Sequence, residues 1–97
     1  MDTIVNSTKY QIEELRDSVL WADIVRELET WKQGFVHEAL SIVDDADKDN
    51  PSSAKVLLHL GDINGRVKAI DYLLSLPEIF LSVLEEKRND SERKSAE

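Results

Sequence analysis

The chain has no cysteine, so disulfides and thiolate metal sites are excluded, and a reducing compartment fits. No apolar run approaches the roughly 20 residues of a membrane span, and residues 1–10 lack the basic-then-apolar pattern of a signal peptide. A cytoplasmic location without membrane contact is therefore expected. Basic residues are scarce, twelve against twenty acids, for a formal charge of −8. They form no cluster of the kind a phosphate backbone needs, so direct nucleic-acid binding is not expected. The imbalance is local: residues 1–50 hold twelve acids and five bases, a net of −7, and residues 51–97 hold eight and seven, a net of −1. A basic partner would be steered to the N-terminal half. Helix breakers are few, with prolines only at 51 and 77 and three glycines.

Helical periodicity fills the space those absences leave. Trp21, Ile24, Leu28, Trp31, Phe35, Ala39, Ile42 and Ala46 follow Ser18 at steps of three or four, with Val25, Val36, Leu40 and Val43 widening the stripe. The two tryptophans and Phe35 read as core, although a tryptophan can also anchor a partner. The acids from Asp44 to Asp49 oppose the helix dipole and favour a turn there. Asn50-Pro51 reads as the cap and first turn of a second arm, whose stripe is Val56, Leu60, Ile63, Val67, Ile70 and Leu74. Thr8-Lys9-Tyr10-Gln11 matches a capping box, and Pro77 should end or kink the second arm. The expected spans are about 9–16, 19–45, 51–76 and 77–87, in one domain over 1–87 with a disordered tail over 88–97. The fold class is all-α: a long antiparallel helical hairpin with short flanking helices.

The second arm carries another face, formed by Ala54, Leu58, Gly61, Gly65, Ala69 and Tyr72. Each glycine inside a helix costs about 1 kcal/mol relative to alanine, so two on one face imply a compensating contact. Three readings are open: tight packing of the arms around Trp21 or Trp31, a helix–helix contact between subunits, or a break over Gly61–Gly65. On the first arm, Val36 and Leu40 join the candidate interface. Stripes this wide cannot all face one neighbour, and each large side chain left wet forgoes about 1.5–3 kcal/mol. At least a homodimer is expected, completing a helical bundle.

Candidate chemical motifs fail on spacing. Asp45-Ala46-Asp47-Lys48-Asp49 begins like a calcium loop, but Asn50 replaces the turn glycine and Val56 the bidentate glutamate. His37-Glu38 begins a zinc-protease motif, but Ser41 stands at the second ligand position, and His59 is the only other histidine. Gly61 to Arg66 lacks the Gly-Lys-Ser/Thr ending of a phosphate loop. No serine sits in a nucleophile-elbow context. Neither an active site nor a cofactor is expected.

The run Gly65-Arg66-Val67-x-Ala69-Ile70-x-x-Leu73-Leu74-x-Leu76-Pro77-Glu78, behind an early tryptophan in a long acidic helix, resembles small helical-hairpin proteins of tailed bacteriophages. The similarity spans residues 18–80 and its motif is mostly helix grammar. It implies an accessory or virion-associated role, in host cytoplasm or virion, with a viral or host protein as partner, and it transfers no site residues. The expected function is a non-enzymatic interaction or assembly protein acting as an oligomer. The alternative is an acidic inhibitor of a basic groove on a host protein, as in DNA mimics and some anti-CRISPR proteins.

Overall fold

A computed structural model of the chain describes residues 3–49 and 53–96, with the side chains of 3–45 and 53–93. Every regular element among them is α-helix: α1 (Lys9–Arg16), α2 (Val19–Asp49), α3 (Ser53–Leu74) and α4 (Leu76–Ala96). The chain divides into two compact units: Met1–Asp23 with Ser75–Glu97, and Ile24–Leu74.

The first unit is built on helix ends. Thr8 Oγ1 accepts from Gln11 N at 3.2 Å while Thr8 N donates to Gln11 Oε1 at 2.9 Å, so two otherwise orphaned amides are satisfied reciprocally. Ser18 then serves two helices at once. Its hydroxyl donates to Leu15 O at 2.6 Å, closing α1, and accepts from Trp21 N at 3.0 Å, opening α2. Asp17 and Ser18 therefore separate the two helices. On α4, Pro77 stands in the first turn, where its missing N–H removes no bond, and the ladder begins with Ile79 N donating to Ser75 O at 2.9 Å. α1 packs on α4. Ile12 and Pro77 are buried there, and Arg16 Nη1 lies 3.4 Å from Glu78 Oε1. Asp17 first, and Glu78 after it, hold the exposed Arg16 guanidinium above its ordinary pKa.

In the second unit, Ile63 is 2% exposed, Ile70 is also buried, and Val56, Leu60, Val67 and Leu74 are half-buried. The half-buried α2 positions Val25, Leu28, Lys32, Phe35, Ala39 and Ile42 alternate steps of three and four. Three contacts tie the helices: Lys32 Nζ to Asp71 Oδ1 at 2.7 Å, the Arg66 guanidinium 5.5 Å from the Phe35 ring centre, and His59 Nε2 to Glu38 Oε1 at 3.3 Å.

Several boundaries and core assignments need correction. α2 runs to Asp49 rather than stopping near residue 45. Acids in a last turn cost only about 0.3–1 kcal/mol, and neither proline nor glycine stands between Phe35 and Asn50. Asn50 and Pro51, the expected cap of the second arm, lie outside the described residues, and α3 ends at Leu74 rather than 76. α4 continues over 88–96, where a disordered tail was expected. Nothing there breaks a helix, and Arg88 reaches Glu85 at 4.0 Å and Glu92 at 3.6 Å. Trp31 and Ile24 are exposed flank positions; Val25 and Lys32 hold the inward places. A lysine can sit there because its stem lies along the apolar face while Nζ reaches Asp71. Ala46, the last of the expected stripe, lies outside the described side chains.

Two predictions follow from these contacts. Thr8→Ala removes the α1 cap and is expected to lower stability by about 1 kcal/mol in urea unfolding; an unchanged midpoint would show that α1 does not depend on it. Asp71, by hydrogen bond first and charge second, holds Lys32 above its ordinary pKa. A raised folded-state pKa gives a contribution that is full below the ordinary lysine range and lost as pH rises through the raised value. The Tm difference between wild type and Lys32→Met is therefore expected to be level up to about pH 9.5 and to shrink above about pH 10.5. A difference that stays level to about pH 11.5 would remove the pair from the stabilising contacts.

Candidate interaction surface

At about 100° of rotation per residue, Ile63, Val67 and Ile70 point to one side of α3, and Gly61, Gly65 and Tyr72 point to the other. Burial follows that division. Ile63 and Ile70 are covered by the unit, while Ala54, Leu58, Gly61, Gly65, Ala69 and Tyr72 are all exposed, Leu58 at 77% and Tyr72 at 54%. A Cβ added at Gly61 or Gly65 would meet nothing within 4 Å. The glycines therefore do not bring α2 close to α3, and no tryptophan packs against them. α3 is also unbroken from Ser53 to Leu74, so the segment is no hinge. Of the three readings of the glycine face, tight packing within the chain and a break both fall away.

The remaining cost is real. Each glycine forgoes about 1 kcal/mol of helix propensity relative to alanine at a site with room for a side chain. Near the face, Asp62 Oδ2 lies 2.8 Å from Arg66 Nη2, an i,i+4 pair within α3. Asp62 and Arg66 are thus matched to each other, while Lys68, three residues after Gly65, is an exposed charge on the other border of the face.

Val36 and Leu40 occupy a different place. They are exposed and, with Ala39, Leu60, Ile63 and Val67, line an open apolar groove of about 270 Å³ inside the second unit. Leu60, Ile63 and Val67 belong to the inward side of α3, so this groove and the glycine face do not form one surface. The candidate interface residues divide into two patches. Val43 extends the first patch along α2, and Leu57 and Leu73 flank the second; all three are exposed.

Trp31 corrects a core expectation. It is 55% exposed, and its Nε1 donates to Glu27 Oε1 at 2.9 Å, four residues back on its own helix. That carboxylate at i−4 is the sequence signal that could have placed the indole on an outer flank. Trp21 stays half-buried, lining a small apolar cavity of about 150 Å³ in the first unit with Ile12, Leu15, Pro77 and Phe80.

The groups that could carry chemistry are dispersed. His37 is exposed, and His59 contacts Glu38 alone among the described carboxylates. Among the described residues no three His, Cys, Asp or Glu side chains group as a metal site would require. The calcium-loop-like run at 45–49 lies almost wholly outside the described side chains. No described helix is long and apolar enough to cross a membrane. No protein-family model, curated protein or solved structure gives a match with this chain.

Proposed function

We propose that the chain is a non-enzymatic interaction protein that works as a homo-oligomer, with α2 and α3 folded back as an antiparallel hairpin and another copy completing the bundle. The order of contacts supports the hairpin. Moving up α2 from Lys32 to Phe35 to Glu38, the partners on α3 descend from Asp71 to Arg66 to His59. Association is supported above all by the apolar surface left uncovered. Among the described residues fourteen large hydrophobics are exposed and three hydrophobics are buried.

The setting we assign is assembly of a tailed bacteriophage, and it rests on the resemblance at Gly65–Glu78 alone. An acidic inhibitor that fills a basic groove is the second reading, favoured by the net −7 of residues 1–50. Salt separates the two. An interface of leucine, valine and tyrosine holds its affinity as ionic strength rises, whereas one held by carboxylates weakens steeply. Light scattering on the purified protein at micromolar concentration is expected to give at least twice 11.1 kDa. That mass should persist from low salt to roughly 0.5 M, where exposed charges are screened beyond a few ångströms. A monomeric mass throughout would overturn the proposal.

A further inference from the structure

We draw no further inference here: the strongest candidate, the apolar cavity of about 150 Å³ in the first unit walled by Ile12, Leu15, Trp21, Pro77 and Phe80, carries nothing because nothing in the structure shows what would fill it.

Discussion

A helix with a wide apolar stripe can present only part of that stripe to one neighbour, and the second unit is shaped by this limit. α2 turns the seam from Val25 to Ile42 inward, leaving Ile24 and Trp31 on one flank and Val36, Leu40 and Val43 on the other. α3 turns Ile63, Val67 and Ile70 inward and leaves its back face bare. Each inward row is complete in itself, with alternating steps of three and four, and the surplus lies beside it. Apolar side chains outside the inward rows are thus a consequence of stripe width.

Polar contacts place the two helices of this unit more narrowly than packing alone could. Lys32 stands on the inward row of α2, where an apolar side chain would bury more surface, and it meets Asp71 at 2.7 Å. A sliding or rotated α2 would strand that ammonium against apolar neighbours, so the pair penalises alternatives more than it strengthens the arrangement it belongs to. Arg66 contributes in the same way from α3, covering Phe35 while holding Asp62. The first unit relies instead on capping. Thr8, Ser18 and Ser75 each satisfy helix ends, and Ile12 and Pro77 supply its buried apolar contacts.

Helix starts were readable from the sequence because they act within one turn. The capping box at Thr8, the hydroxyl at Ser18 and the restart at Pro77 concern neighbouring atoms, and their residue types suffice to place them. Choices that depend on a distant partner were not readable. Trp31 and Val25 both belong to the apolar arc of α2, and beyond the Glu27 carboxylate one turn before Trp31 the position of α3 decides which is covered. The extent of α4 was missed for another reason: residues 88–96 lack an apolar face, yet their ion pairs and the absence of breakers let a helix continue without one. The candidate surface lay between these cases. Its residues were legible as one face of α3, but whether that face looked inward or outward depended on α2.

The two glycines of α3 are the positions on that face that packing within the chain explains least. An exposed hydrophobic residue has many ordinary explanations, since folded proteins show a large apolar surface. An exposed glycine within a long helix has few, because alanine there would stabilise the helix and meet nothing. Two such positions lie one turn apart on the outer face of α3, where helix propensity favours alanine and nothing within the chain stands in its way.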